Sequence, residues 1–295
     1  MDVTYDAVLG VGNALKQVRR TSFQPGIRQG VGRMSGAVDP SILFVNGGEP
    51  RATLQSGDVA GVITLLSVTA GLFVSAGTIT LPWNRRANGG TFAGGLNNFT
   101  ITGANALIVP RSFSASQSDE EGASAELEVV FVSTDGLTAP VTFAVNQALA
   151  AEAFNLLFAM GPVYINTVAL TQVQSVKVDT GITVETKMFD GAIYPTLVYI
   201  KTREPSITVT FENFDVAQTY APLFAACTAA AAYFRKRATG GTFVSDATAG
   251  HVKLSIATGL GVLEHIESSK NENGTASIKL TGLSLSSSTA SAIGA

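Results

Sequence analysis

The stretch that decides the fold is GAVDPSILFVNGGEP, residues 36–50, because the chain repeats it at residues 191–205 as GAIYPTLVYIKTREP. Five of the fifteen positions are identical, and six more are conservative exchanges such as Val38 with Ile193. The two copies lie 155 residues apart in a chain of 295 residues, which has room for two ordinary domains. The sequence therefore predicts an internal duplication rather than one large domain.

Alternating strands follow both copies of this motif. Ala52 and Leu54 alternate with polar residues after the first Glu-Pro, and Ile207, Val209 and Phe211 do so after the second. A period of two is typical of a strand with one buried face. The preceding runs SILFV and TLVYI are apolar on both faces and predict strands. We therefore expect two equivalent hairpins, each folded around its Glu-Pro turn.

Each predicted hairpin leads into Asp-Val-Ala, at residues 58–60 and 215–217. An aspartate before an apolar stretch predicts a helix N-cap, because its carboxylate accepts hydrogen bonds from free amides of the first turn. The uncharged residues 59–84 raise the alternative of a membrane span, although Gly, Ser and Thr recur throughout. Their counterpart, residues 216–234, is rich in alanine, is interrupted by Pro222 and indicates a buried helix. We predict one flanking helix per copy and no membrane span.

The duplication continues further along the chain. RANGGTF at residues 86–92 and RATGGTF at residues 237–243 share six of seven positions. The Gly-Gly pair predicts a turn with positive φ, and neither copy has the Gly-Lys-Ser/Thr of a phosphate-binding loop. Two further strands are predicted in each copy, at residues 98–102 and 123–133 and at residues 251–256 and 275–286. The order strand, strand, helix, strand, strand therefore occurs twice.

The remaining segments set the expected domain boundaries. Residues 146–160 have helical spacing and predict a connecting helix that ends at Gly161-Pro162. Residues 284–295 have no pattern, and we expect them to fray. The predicted fold is mainly β, with two tandem homologous β-sandwich or barrel domains, residues 1–150 and 151–295.

No catalytic, cofactor-binding or metal-binding residues can be recognised. The chain has two histidines, His251 and His265, and neither lies at metal-ligand spacing with cysteine or carboxylates. We expect each histidine to be hydrogen-bonded or exposed, and the single cysteine, Cys227, to be a buried thiol. The predicted protein is not an enzyme and needs no cofactor. A net charge of −3 lacks the positive footprint of a nucleic-acid-binding protein.

The N-terminal region has an asymmetric charge. Its acids stand where a signal peptide needs lysine or arginine, so secretion by that route is not expected. Between Ala7 and Val38 the only charged residues are basic: Lys16, Arg19, Arg20, Arg28 and Arg33. One interpretation is a basic arm that docks on an acidic surface of another subunit, such as residues 119–121. The other is a solvated loop.

Composition and sheet edges point to self-assembly. Charged residues make up only 14% of the chain, against about 25% in ordinary globular proteins. A surface with few charges suits contact with other proteins, because charges are depleted at interface cores. Small β-domains also have unpaired strand edges, and a repeated head-to-tail contact that uses them closes into a ring. Three chains would then place six similar domains around one hole.

On these repeated blocks, over about residues 33–286, the chain resembles the tail tube (major tail) proteins of long-tailed bacteriophages. The resemblance implies a structural virion protein that forms homotrimeric, pseudo-hexameric rings stacked into a hollow tube. It implies as partners copies of the same chain, a tape-measure protein and other tail proteins. DNA would pass through in transit without sequence-specific binding, and assembly would take place in the host cytoplasm. The family has no catalytic residues to carry over.

Two alternatives remain at this point. Baseplate hub and distal-tail adaptor proteins have the same fold, and two fused copies in a trimer describe them equally well. A duplicated β-barrel enzyme or carbohydrate-binding module is the alternative from another class. Such a protein is expected to display clustered exposed aromatics or paired carboxylates, whereas aromatics are 8% of this chain and are mostly strand-spaced Phe.

Overall fold

The structure is a computed structural model that describes residues 2–9, 14–67, 78–85, 98–118, 120–145, 149, 157–212, 214–220, 224–238, 241–269 and 272–294. We call residues 1–150 the first half and residues 151–295 the second half. In the first half the elements are β1 (Asp2–Thr4), β2 (Ala7–Val8), β3 (Ala14–Leu15), β4 (Val18–Gln24), β5 (Arg28–Gly32), β6 (Ile42–Gly47), β7 (Arg51–Ser56), α1 (Val59–Ser67), β8 (Ile79–Arg85), β9 (Asn98–Gly103), β10 (Ala106–Ser116), β11 (Ser124–Phe131) and β12 (Val141–Val145).

In the second half the elements are β13 (Phe158–Ile165), β14 (Val168–Ala169), β15 (Val173–Asp179), β16 (Ile182–Lys187), β17 (Leu197–Arg203), β18 (Ser206–Phe211), α2 (Phe214–Tyr220), β19 (Phe224–Lys236), β20 (His251–Ser269) and β21 (Glu272–Ser291). The protein is thus mainly β, as the alternating sequence predicts. No described helix is long and apolar enough to cross a membrane.

The strands form large antiparallel sheets. The largest has eleven strands in the order β14-β13-β19-β20-β21-β18-β15-β10-β11-β7-β4. A second sheet has the order β12-β9-β8-β2-β3, with β1 also on β8, and two short ribbons pair β5 with β6 and β16 with β17. β10 and β15 join the two halves within the eleven-stranded sheet. One apolar cluster includes side chains of both halves, among them Leu54, Phe113 and Val209.

The segment around each Glu-Pro does not form the predicted hairpin. β6 pairs with β5, whereas β7 pairs with β4 and β11, so the chain passes from one ribbon into the large sheet at Glu49-Pro50. β4 to β7 therefore make one long bent hairpin, and β15 to β18 make another. We call their outer parts, residues 26–49 and 181–204, the first arm and the second arm. The prediction was wrong because an apolar run does not specify its pairing partner.

The two hairpins have matching registers. Val18 lies opposite Ser56 in the first hairpin, and Val173 lies opposite Phe211 in the second. Each residue of the second pair is 155 positions after its counterpart in the first pair. Both pairs are followed by a register shift at the same place. At the base of each arm the amide of the glutamate donates to a glycine oxygen, Glu49 to Gly26 and Glu204 to Gly181. The hydrogen-bond geometry of the first arm is thus repeated in the second.

Side-chain burial follows the predicted alternation. Ala52 and Leu54 of β7 are buried, as are Ile207, Val209 and Phe211 of β18. These residues face the shared apolar cluster, and the threonines between them, Thr53, Thr208 and Thr210, are more exposed. The core-facing pattern of both strands is therefore confirmed.

The helix N-cap is confirmed in the first half only. Asp58 precedes α1, and its carboxylate accepts a 2.9 Å hydrogen bond from the amide of Gly61. Asp215 lies inside the first turn of α2 instead of before it. Both helices lie against β21.

Three further sequence-based predictions are wrong. The alanine-rich segment after Pro222 is not a helix but β19, which pairs with β20 from Phe224 to Phe234 and with β13 from Ala230 to Lys236. Pairing on both edges outweighs the helix preference of alanine, because propensity is weak against tertiary contacts. β13 begins at Phe158, so the predicted connecting helix does not include residues 158–160, and its earlier residues 146–148 and 150–156 lie outside the described residues.

The serine-rich C-terminal segment is the third. Residues 284–291 belong to β21 and pair with β20, where Ser291 lies opposite His251. Backbone hydrogen bonds hold this segment although its side chains show no apolar pattern. RANGGTF, at residues 86–92, lies outside the described residues, and in RATGGTF Gly241 has the predicted positive φ of 87°.

Candidate assembly interface

The described residues contain no group of His, Cys, Asp and Glu that could hold a metal ion. His251 is fully buried, where its Nδ1 accepts from the amide of Lys236 and its Nε2 lies 3.1 Å from the Ser245 carbonyl oxygen. His265 is exposed beside Glu267. Cys227 is buried, and burial raises the pKa of its thiol. His251 is therefore hydrogen-bonded, His265 is exposed and Cys227 is a buried thiol, as the sequence indicated.

The junction between the halves is a strand pair with a defined register. Ser112 of β10 lies opposite Asp179 of β15, Phe113 opposite Val178, and Ser116 opposite Ser175. Phe113 is fully buried in the shared cluster. Among the second-half strands of this sheet β15 is at the edge, and among the first-half strands β10 is at the edge. The contact therefore joins two edge strands.

The second arm lies on the outer face of β10, next to this junction. Leu107 and Val109 of β10 are buried against Ile182 of the arm, and Val184, Val198 and Ile200 cover the same cluster. The Arg111 guanidinium donates to the Ile182 carbonyl oxygen. We call the surface of β10 formed by Leu107 and Val109 the seat of the arm. It is apolar, and Arg111 lies at one end of it.

The tip of the second arm is held by residues 133–138. Gly136 accepts backbone hydrogen bonds from Ile193 and Tyr194, and Ser133 donates to Pro195. Asp135 orders this loop by accepting from Thr138, Leu137 and Ser133. These hydrogen bonds, that from the Thr138 hydroxyl first, hold the pKa of the Asp135 carboxyl well below its ordinary value.

A charged chain of contacts links the base of the first arm to the second arm. Glu49 accepts a 2.6 Å hydrogen bond from Thr186 of the second arm and another from Arg51. Arg51 also donates to Glu128, which is paired with Arg111. Burial acts to raise the pKa of Glu49, but the hydrogen bonds from Thr186 and Arg51 outweigh it and lower that pKa below 4.5.

This shift predicts that acid loosens the second arm. Because the folded pKa of Glu49 is depressed, its stabilisation is present above pH 4.5 and is lost as the pH falls through the lowered value. We expect amides of residues 181–204 to lose hydrogen-exchange protection as the pH falls below 4.5, and Glu49→Gln to show part of this loss at pH 7. Solvent screening limits the effect to about 1 kcal/mol. Unchanged protection of the arm in Glu49→Gln would contradict this assignment.

The first arm, in contrast, is largely uncovered. Its exposed apolar side chains are Ile27, Val31, Met34, Val38, Ile42, Leu43, Phe44 and Val45. Val38 is 88% exposed and Leu43 is 70% exposed, whereas Val198, which is equivalent to Leu43 in the second arm, is partly buried. Exposed apolar side chains grouped on one ribbon are typical of interaction sites.

The predicted basic arm is divided between β4 and the first arm. Arg19 pairs with Glu121 of the same chain, so the acidic partner proposed on another subunit is met within the chain. Arg28 lies on the first arm, 3.9 Å from the Met188 sulfur, and is exposed. The segment is therefore a pair of strands and not a loose loop.

The strand edges that have no partner in the described part of the chain include β4 and the last part of β20. β4 is the last strand of the eleven-stranded sheet and pairs only with β7. Residues 265–269 of β20 pair only with β21. Ile266, within that segment, is 49% exposed.

Comparisons with protein-family models and with curated proteins find no match for this chain. The residues that sequence reasoning missed are the exposed apolar ones of β20 and of the first arm. An alignment of β10 with β20 by the repeat would have matched Leu260 and Val262 with Leu107 and Val109. That alignment depends on the strand pairing, which the amino-acid sequence alone does not give.

Proposed function

We propose that the chain consists of two tandem homologous β-sandwich or barrel units, each with a flanking helix, and is a structural subunit of a phage tail tube. The matched registers of the two hairpins support the duplication. Gln17 and Gln172, 155 residues apart, also share a positive φ of 53° and 57°. A shared pattern of pairing and unusual backbone is expected of duplicated units and not of two unrelated ones.

The observation that carries the assembly proposal is the junction of β10 with β15. Its counterparts under the repeat are residues 265–269 of β20 and β4, and both of these edges lack a partner among the described residues. β4 of one chain can therefore join β20 of another as β15 joins β10 within a chain. The contact would place Ile266 opposite Phe23, in the position of Phe113 opposite Val178. A repeated head-to-tail contact of this kind generates a ring when the rotation closes.

Closure after three chains gives the trimeric, pseudo-hexameric ring expected from the family resemblance. Rings of this kind would stack into a tube through which DNA passes in transit, with a tape-measure protein and other tail proteins as partners. The low content of charged residues and the net charge of −3 agree with a conduit that does not hold DNA. The protein is then a virion component without catalytic residues or a cofactor.

Native mass spectrometry and negative-stain microscopy of the purified chain test this proposal. We expect particles of three chains with a central hole, and stacks of them at high concentration. A monomer at high concentration would overturn the proposal. Counting copies in purified particles separates a tube from a hub or adaptor, because a tube needs many rings and a hub needs one.

Blocking one edge tests the geometry of the contact. The N–H groups of neighbouring residues in a strand point to opposite edges. Of the two variants Ile266→Pro and Glu267→Pro, one therefore removes an N–H that faces β21 and the other removes an N–H on the unpaired edge. One of them removes a donor that faces β4 of the next chain and leaves the pairing with β21 intact. We expect that variant to remain folded and monomeric by circular dichroism and native mass spectrometry. Rings formed by both folded variants would exclude this edge.

A further inference from the structure

We propose that the outer face of β20 at Leu260 and Val262 is the docking site for the first arm of a second copy of this chain. The inference rests on the proposed head-to-tail assembly and names the second contact of that interface. It follows from comparing an occupied surface in the first half with an unoccupied one in the second half.

The two surfaces correspond strand by strand. In β10 the register shifts between Pro110 and Ser112, and in β20 it shifts between Leu263 and His265. Counting back from these shifts, Leu107 and Val109 correspond to Leu260 and Val262. Their partners across the strand, Val130 and Glu128, correspond to Thr281 and Lys279, which lie opposite Leu260 and Val262.

The burial of the two surfaces differs. Leu107 and Val109 are 5% and 0% exposed beneath the second arm, whereas Leu260 and Val262 are 45% and 38% exposed. On the second arm the covering side chains are Ile182, Val184, Val198 and Ile200. Their counterparts 155 residues earlier are Ile27, Gln29, Leu43 and Val45, and the three apolar ones are exposed. The chain therefore has one free apolar arm and one free apolar seat with the same spacing.

The arm cannot be supplied by the same chain. β4, which leads into the first arm, lies seven strands from β20 in the sheet order. At about 4.8 Å per strand this is about 34 Å along the sheet. A second copy supplies the arm without any rearrangement, because pairing its β4 with residues 265–269 brings its first arm beside Leu260.

Charge also favours this pairing. In the first half the bulged residue of β10 is Arg111, which donates to the Ile182 carbonyl oxygen. In the second half the corresponding residue is the exposed Glu264. The Glu264 carboxylate has no hydrogen to donate, so it cannot repeat the hydrogen bond of Arg111. On the first arm, however, the exposed Arg28 directly follows Ile27, the counterpart of Ile182, and can pair with Glu264. Opposite charges at the two positions favour the first arm on β20 and disfavour it on β10, where Arg28 would meet Arg111.

Cross-linking between two single-cysteine variants tests the contact. Leu43→Cys and Leu260→Cys chains are mixed, allowed to assemble and treated with a short bismaleimide, with Cys227→Ala in both backgrounds. We expect a covalent dimer in the mixture, mapped by mass spectrometry to positions 43 and 260, and none with Val168→Cys in place of Leu260→Cys. Rings without the 43–260 cross-link would overturn the docking site and leave the proposed function standing. Absence of any assembly would overturn both.

A charge exchange provides a second readout. Arg28→Glu and Glu264→Arg are each expected to weaken ring association by about tenfold, and the double variant is expected to recover most of the loss. Leu260→Glu is expected to weaken it by about thirtyfold or more, as for a central interface residue, whereas the exposed Val168→Glu should have no effect. Single variants that associate as well as the parent would contradict the assigned pairing of Arg28 with Glu264.

Discussion

Phe113→Ala is expected to lower the free energy of unfolding by about 3 to 5 kcal/mol, the range for truncating a fully buried phenylalanine. Phe113 has no exposed surface and lies in β10 opposite Val178 of β15. Its ring therefore fills the core at the strand pair that joins the two halves. Truncation leaves a cavity that the surrounding strands can close only in part.

Urea unfolding measured by the fluorescence of Trp83, the single tryptophan, and by circular dichroism checks this expectation. The two signals should give one coincident transition, because one apolar cluster contains residues of both halves. Phe189→Ala is the matched control, since Phe189 is 52% exposed and should lose less than about 1 kcal/mol. Two separate transitions, with only one moved by Phe113→Ala, would show that the halves unfold independently.

Gly181→Ala is expected to cost at least about 2 kcal/mol of stability and to release the second arm from β10. Gly181 has a φ of 62°, and a Cβ at this position would overlap the backbone oxygen of Glu204. The oxygen belongs to the backbone between β17 and β18, on the other side of the arm's base, so relief requires a backbone shift. The hydrogen bond from the Glu204 amide to Gly181 would be lost with it.

Gly191→Ala separates the clash from the backbone strain. Gly191 lies in the same arm with a φ of 77°, but a Cβ there would meet open space. We expect this control to cost about 1 kcal/mol, and to leave the hydrogen exchange of residues 181–187 unchanged. If both variants lose the same stability, the bend at the base of the arm is not held by the close approach to Glu204.

The candidate interface could be predicted from the sequence only in outline. The repeat, the alternating strands and the low charge indicate a duplicated β-protein that meets copies of itself. They do not show which seat is occupied, because Leu107 and Leu260 have the same apolar character. One is buried and the other exposed only because the second arm reaches β10 within the chain.

The wrong predictions share one physical cause. The alanines of β19 favour a helix by intrinsic propensity, yet pairing with β13 and β20 makes them a strand. Residues 284–291 have no apolar periodicity, yet backbone hydrogen bonds to β20 order them. In both cases the energy that decides the local structure comes from strands distant in sequence.

The sequence by itself determined the features that depend on neighbouring residues: the alternating burial of β7 and β18, the cap of α1 by Asp58, and the turn at Gly241. Local sterics and side-chain periodicity suffice for these. Only the tertiary structure decided that β6 pairs with β5 and that β10 pairs with β15. Strand pairing joins residues far apart in the chain, and its free energy depends on which edges and apolar faces are brought together in space.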